Sequence, residues 1–326
     1  MAVESSTPIP TADGWKRACD LSAKDVVFDQ AGAPQPVLSV QSWIPLECYE
    51  VHMDDGLTVV GDRNLAFPCQ TKNWREHFCR WFNRKSSRRP KEFRSAIWDG
   101  TVREILTRGL VDDRGKTNFS VGATGPVQFP TVDLPVPPYV FGLWLGTRTP
   151  TGRHWLRGNM DLNRIRSRLR GLGFALVTKK HKNGDTMLEF RPSVTTYFAA
   201  MGVGAPDELP FSYLMSSPEQ RSELLAGLVD ARDVFVRRGS TKCVTQDPSW
   251  RSIRRKQALL ESLGFKTRLH TPSKSSSFSL FSDICTTNRV KNKRFIVKID
   301  KKQAKQCVHV ACERPFLVGE GFIAVC

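Results

Sequence analysis

Leu225-Ala226-Gly227-Leu228-Val229-Asp230-Ala231 is the most informative stretch of the chain, because it repeats an earlier one, Phe141-Gly142-Leu143-Trp144-Leu145-Gly146. Each copy is followed, after β-like sequence, by a helical run that ends in Leu-Gly-Phe. The first run is Leu162–Leu169 leading into Leu172-Gly173-Phe174, and the second is Ile253–Leu260 leading into Leu263-Gly264-Phe265. From Gly142 to Gly173 is 31 residues and from Gly227 to Gly264 is 37, so one unit of nearly constant size occurs twice. Gly142 and Gly146, like Gly227 and Ala231, stand four apart, which on a helix puts small residues on one face. Two backbones can approach closely there. With Ala226 beside Gly227, these five are the expected helix-packing residues.

Beyond the repeat, 326 residues allow two or three domains with a core of ordinary size. A hydrophobic content of 40% and a charged content of 25% are globular values. The longest apolar stretch, near Tyr139–Gly146, is far short of the roughly 20 residues that span a bilayer. No secretory leader is read at Met1–Gly14. Residues 1–71 read as β-hairpins, with short apolar runs at Val26–Phe28, Val37–Val40, Cys48–Met53 and Leu57–Val60 and a turn at Asp54-Asp55-Gly56. Pro130, Pro135, Pro137 and Pro138 form a stiff connector before the first repeat. After about 286 the chain returns to β-like runs: Phe295–Ile299, Gln306–Val310 and Phe316–Val318. Both ends are thus β-rich and the middle is mixed.

Charge is the other strong signal: 49 Lys+Arg against 32 Asp+Glu, a net +17. Lys72–Arg94 and Thr287–Gln306 each carry +7. A third basic run covers Arg148 to Lys182. Such clustering favours a polyanion, because neutralised phosphates release condensed counterions. Lys72, Arg75, Arg80, Arg84, Lys85, Arg88 and Arg89 are expected to meet phosphate as a set. Trp74, Phe78, Trp81 and Phe82 interleave with them and read best as the apolar stripe of a small helix. Nine cysteines with no Cys-x-x-Cys point to free thiols in a reducing, intracellular compartment rather than a zinc site. No metal site is expected.

These residues resemble the LAGLIDADG homing endonucleases, in the form inserted within an intein. Leu225–Ala231 is a near-complete second motif, and Gly142–Gly146 looks like the first motif as inteins carry it. Thr7-Pro8-Ile9-Pro10-Thr11 with Asp13-Gly14-Trp15 resembles the start of a Hint (intein) domain. Pro315–Ile323 resembles its final hairpin. The resemblance implies an α+β fold: an all-β Hint horseshoe made from both chain ends, interrupted by a pseudo-twofold endonuclease of two αββαββα halves. The implied boundaries are 1–71 and 287–326 for the Hint-like parts, 72–131 for a basic DNA-recognition insert and 132–286 for the endonuclease-like domain.

The departures from the family carry as much information as the matches. Its motifs end in carboxylates that share magnesium ions, which activate water and stabilise the leaving oxygen of a phosphodiester. Aligning the glycines puts Thr147 and Arg232 at those two positions, with Arg148 and Asp233 one residue on. Replacing two carboxylates by Thr and Arg moves the local charge from −2 to +1, which disfavours Mg²⁺ and attracts phosphate. Asp230 matches the motif's earlier, structural acid. Splicing in the family needs a Cys or Ser at the first position, a histidine where Asn64 stands, and a terminal His-Asn, where this sequence has Cys326. Met1 stands at the first position. The expected function is therefore a degenerate, intein-derived endonuclease that binds double-stranded DNA, with splicing lost and cleavage lost or weak. No cofactor is expected, and Mg²⁺ enters only with a residual nuclease site. Arg148, Arg232, Arg237, Arg238 and Lys242 join the expected nucleic-acid contacts, and internal pseudo-symmetry implies a monomer. Two alternatives stand beside this reading. One is an active endonuclease whose metal site is rebuilt from Asp233 or Asp161. The other is a structural or regulatory subunit of a nucleoprotein assembly that contacts structured RNA.

Overall fold

The computed structural model describes residues 2–76, 97–148, 154, 161–180, 186–200, 209–231, 235–237, 240–247, 249–270, 278–283 and 293–326. They fall into two compact units. The first comprises Met1–Gln128, Gly264–Arg268 and Thr286–Cys326, and the second comprises Phe129–Leu263 and Leu269–Cys285.

The first unit is built on one nine-stranded antiparallel sheet. In spatial order its strands are Trp98–Thr101, Ala66–Thr71, Phe119–Gly122, Lys293–Lys302, Cys48–Met53, Thr58–Asp62, Val3–Glu4, Cys307–Ala311 and Ser39–Trp43. The N-terminal strand is the link between the chain's ends: Val3 sits opposite Gly61 on one side and Val308 on the other. The hairpin Cys48–Met53/Thr58–Asp62 turns at Asp54-Asp55-Gly56, where Gly56 takes φ 87°, a conformation open to glycine without a Cβ penalty. A second sheet runs Gly14–Arg17, Pro8–Thr11, Val26–Phe28, Pro34–Pro36, and Phe316–Val318 pairs with Ile323–Val325. Val3, Ile9, Val27, Val51, Leu65, Phe67, Ile105, Phe119, Ile296, Val308, Phe316 and Ile323 share one core, drawing on both ends of the sequence.

Two expectations shift here. The run expected at Val37–Val40 divides, because the chain leaves one sheet at Pro36 and enters the other at Ser39; Val37 N–H donates to Asp25 O and Leu38 N–H to Ala311 O. The stretch 72–131, expected as a basic insert, supplies strands Trp98–Thr101 and Phe119–Gly122 to the large sheet. Between them lies helix α1 (Val102–Arg108), which starts on a Thr101/Glu104 capping box.

The second unit holds six helices among the described residues: α2 (Pro138–Thr147), α3 (Leu162–Gly171), α4 (Val194–Ala200), α5 (Phe211–Leu214), α6 (Pro218–Asp230) and α7 (Trp250–Ser262). Ala175–Lys180 pairs with Thr186–Arg191, and Ser240–Asp247 pairs with both Phe235–Arg237 and Phe278–Asp283. Along the chain α2, α3 and a strand pair are thus matched by α6, a strand pair and α7. Every residue of α2 from Tyr139 to Thr147 is buried. A helix apolar on all sides belongs in a core, and this one has no exposed face to solvate.

Candidate functional site at the foot of the paired helices

Helices α2 and α6 touch through their backbones. A Cβ on Gly142 would fall 2.1 Å from the Leu224 carbonyl oxygen, and one on Gly227 would fall 2.2 Å from that of Tyr139. One turn further on, a Cβ on Gly146 would meet the Ala231 methyl at 2.5 Å. No carbon fits at such distances, so glycine is the condition for the crossing. Ala226 is half-buried and takes no part in these three closest approaches. The start of each helix is fixed by proline at its first turn, and α6 adds a capping box in which Ser217 accepts from the Gln220 amide.

The crossing delivers Thr147 to the foot of α2, fully buried. Its hydroxyl donates back to the Leu143 carbonyl at 2.9 Å and lies 3.1 Å from His154 Nδ1. His154 packs between Trp144 (5.3 Å) and Phe190 (5.5 Å), and its backbone carbonyl accepts from Leu188. Burial, helped by the Arg148 charge, pushes its pKa down to about 4, so the imidazole is neutral at physiological pH. The Arg148 guanidinium lies 5.0 Å over the Trp144 ring. Where the resemblance places a metal-binding carboxylate, the described residues are instead a threonine, a neutral imidazole and aromatic rings. These described groups offer a divalent cation no charge.

The neighbouring acids are already engaged. Asp230 accepts from the Tyr139 hydroxyl at 2.8 Å and pairs with Arg164. Burial first, and then that bond, raise the Tyr139 pKa above the ordinary phenol value. Asp161 caps α3, accepting from the Arg164 amide at 3.0 Å. Arg168 lies 3.9 Å over the Tyr139 ring and also pairs with Glu223. Thus α3 holds the α2/α6 pair through two arginines. Arg232 and Asp233 lie outside the described residues.

The basic residues divide by environment. Arg75 donates to the carbonyls of Gln70, Asn118 and Thr117 and to the Ser120 hydroxyl, and lies 5.1 Å over Phe295. Lys72 pairs with Asp112, whose carboxyl it holds down at about 2, and stands 3.7 Å from Glu76. These two are internal ties of the first unit. Arg80, Arg84, Lys85, Arg88, Arg89 and Arg238 lie outside the described residues. Arg237 is opposite Ser240, and Lys242 is opposite Phe235 and Asp283. In the second basic run, Lys298, Lys301, Lys302 and Lys305 pair with Asp300, Glu47, Glu50 and Glu4, all at the surface. Exposed pairs of this kind contribute roughly 0–1 kcal/mol, so a phosphate can compete for such lysines.

The positions linked to splicing lie in the first unit. Asn64 is exposed and lines an open depression of about 520 Å³ with Thr101, Arg103, Glu104, Thr107 and Arg108. Cys326 N–H donates to Ala66 O, and its thiol donates to Asp99 Oδ1 at 3.0 Å. Burial and the Asp99 carboxylate both push the Cys326 pKa up, which keeps it a thiol. Among the described residues, one cluster has the chemistry of a metal site: Glu50, His52 and Asp300, side by side on the large sheet. The sequence does not announce it, because Asp300 is far away along the chain and comes opposite Glu50 only through strand pairing. Lys302 and Lys298 already neutralise its two carboxylates at 2.8 and 2.7 Å.

No family model matches the chain. It is similar to the replicative DNA helicase DnaB of Mycobacterium intracellulare, 24% identical over 245 residues, which is 74% of this chain and 39% of that protein. Among solved structures it is similar to the MchDnaB-1 intein, with 29% identity over 21% of this chain and 52% of that one and a TM-score of 0.20. The gp41-1 intein gives 22% identity over 22% of this chain and 54% of that one, also with a TM-score of 0.20. A zinc-bound Msm DnaB1 intein splicing domain gives 28% identity, 21% and 54% coverage and a TM-score of 0.20. The chain therefore spans well under half of the curated relative and about half of each of these solved chains.

Proposed function

We propose that this protein is an intein-derived chain of LAGLIDADG type that binds duplex DNA and has lost both protein splicing and efficient DNA cleavage. The observation that carries this reading is the α2/α6 crossing on Gly142 and Gly227 with Thr147, rather than a carboxylate, at its foot. A nuclease of the two-metal kind needs hard anionic oxygens at that place. Here the available oxygen is a neutral hydroxyl whose proton is already given to a backbone carbonyl. Loss of splicing is supported by Asn64, which stands where the family's motif has an activating histidine. The 24% match to a DNA helicase over three-quarters of the chain supports descent from an element carried in such a protein. The net charge of +17 supports retention of the polyanion partner. An active nuclease rebuilt around Asp161 is disfavoured, because that carboxylate caps α3.

The test is duplex-DNA binding measured across a salt series, with cleavage assayed in parallel in magnesium and in manganese. The expected result is affinity that falls log-linearly with salt and DNA that stays intact. Efficient nicking overturns the loss of cleavage. A structured RNA that displaces duplex DNA at matched salt moves the partner to a nucleoprotein assembly.

A further inference from the structure

Cys48 opens the strand Cys48–Met53 and Cys307 opens the strand Cys307–Ala311. In the order of the large sheet these strands are third neighbours, separated by Thr58–Asp62 and Val3–Glu4. In a flat sheet, third neighbours lie roughly 14 Å apart at about 4.8 Å per strand. Yet the two Sγ atoms are 3.7 Å apart, both side chains fully buried in a small cluster with Ala2, Trp43 and Val60. Curling of the sheet has brought the thiols together on its inner side.

We propose that Cys48 and Cys307 form a reversible disulfide site that closes the curl of the sheet. Three observations carry it. Among the described residues this is the pair of cysteines whose sulfurs are in contact. The pair lacks the third ligand that a metal would require, since the cluster with metal-site geometry among those residues is Glu50, His52 and Asp300, elsewhere on the sheet. The nearby carboxylate of Asp62 is engaged by the Ala2 amide at 3.0 Å. A disulfide needs about 2.05 Å between sulfurs, a closure that side-chain rotation can supply from van der Waals contact.

The oxidant is a low-molecular-weight disulfide such as oxidised glutathione. One cysteine gives up its proton, and its thiolate attacks a sulfur of the small disulfide and expels one small thiol. The second cysteine then loses its proton, attacks the mixed disulfide and expels the other small thiol. The protein pair is oxidised by two electrons, the small disulfide is reduced to two thiols, and the two protons end on the leaving thiols. Because the sulfurs are buried, the exchange proceeds through local opening of the strand ends. The product ties residues 259 positions apart, so the whole sequence of the second unit falls inside the closed loop. A loop of that length constrains the unfolded chain strongly.

The full chain is equilibrated in glutathione buffers from reducing to oxidising, its remaining thiols are alkylated, and the peptides are mapped. The expected result is a linked Cys48–Cys307 peptide that appears before any other pairing, with a rise in the thermal midpoint of the oxidised chain. Cys48→Ala and Cys307→Ala should each abolish both the linked peptide and the rise. The inference is overturned if the wild-type chain, oxidised at other cysteines, still has both residues alkylated, or if at the oxidising end of the series either one stays bound to glutathione and no linked Cys48–Cys307 peptide forms. Because that mapping uses the wild-type chain, it decides the matter even if a variant does not fold.

Discussion

At the scale of single residues, the foot of α2 is a buried polar position whose groups satisfy one another. Thr147 keeps its hydroxyl satisfied by Leu143, and His154 remains neutral because solvation of its charged form is lost. The sign of the pH dependence follows from the depressed pKa of His154. Unfolding restores an ordinary value near 6.5, so the unfolded state binds the proton more tightly. The stabilising contribution is complete above pH 7 and is lost as pH falls through 6.5 towards 4, amounting to about 2 kcal/mol by pH 5. An NMR titration should find one imidazole that stays neutral to about pH 4, and His154→Phe should remove much of the acid destabilisation. Thr147→Val removes the hydroxyl at nearly constant shape and should cost about 1 kcal/mol in urea unfolding. Neither change should alter DNA affinity by more than a small factor if the site no longer serves chemistry. Thr147, directly after the first small-residue repeat, was legible in the sequence as a position to inspect. His154 was not, because its approach to Thr147 depends on a bridge between Arg148 and His154 that no local pattern announces.

At the scale of elements, the decisive contact is between two helix backbones. A methyl group at Gly142 has no room: its carbon would sit 2.1 Å from the Leu224 oxygen, and that oxygen belongs to a helix packed within the core. Gly142→Ala and Gly227→Ala should each destabilise the second unit by about 3 kcal/mol through forced separation of α2 and α6. Gly171, at the end of α3, supplies the control, since nothing lies within 4 Å of the position a Cβ would take. Gly171→Ala should be neutral or slightly stabilising by helix propensity. Urea unfolding of the three variants separates a packing requirement from a general glycine effect. The spacing of small residues announced this contact in the sequence, because a glycine that must face a backbone leaves a visible gap in the side-chain pattern. The division of Val37–Val40 between two sheets left no such trace. Alternation identifies strands, but the sheet each one joins is settled by partners such as Asp25 and Ala311, one of them far along the chain.

At the scale of the whole molecule, the question is which positive charges remain for a polyanion. Sequence alone treats the seven cations from Lys72 to Arg89 as one set, since charge density carries no information about partners. The structure separates Lys72 and Arg75 from it: Arg75 has four acceptors and a ring beneath it, and Lys72 is only 13% exposed beside Asp112. Removing Arg75 leaves several part-buried acceptors without this donor, so Arg75→Ala should lower the stability of the first unit by about 3 kcal/mol. It should leave the salt dependence of DNA binding unchanged wherever the chain is folded. Replacing Arg80, Arg84, Lys85, Arg88 and Arg89 together by glutamine should act on that salt dependence instead. If each meets one phosphate, the slope of log affinity against log salt becomes shallower by about 0.9 for every phosphate no longer neutralised. Affinity measured across a salt series on both variants distinguishes the two roles. A slope that shallows for Arg75→Ala and holds for the five-residue variant would reverse the assignment and move the phosphate contacts onto the sheet of the first unit.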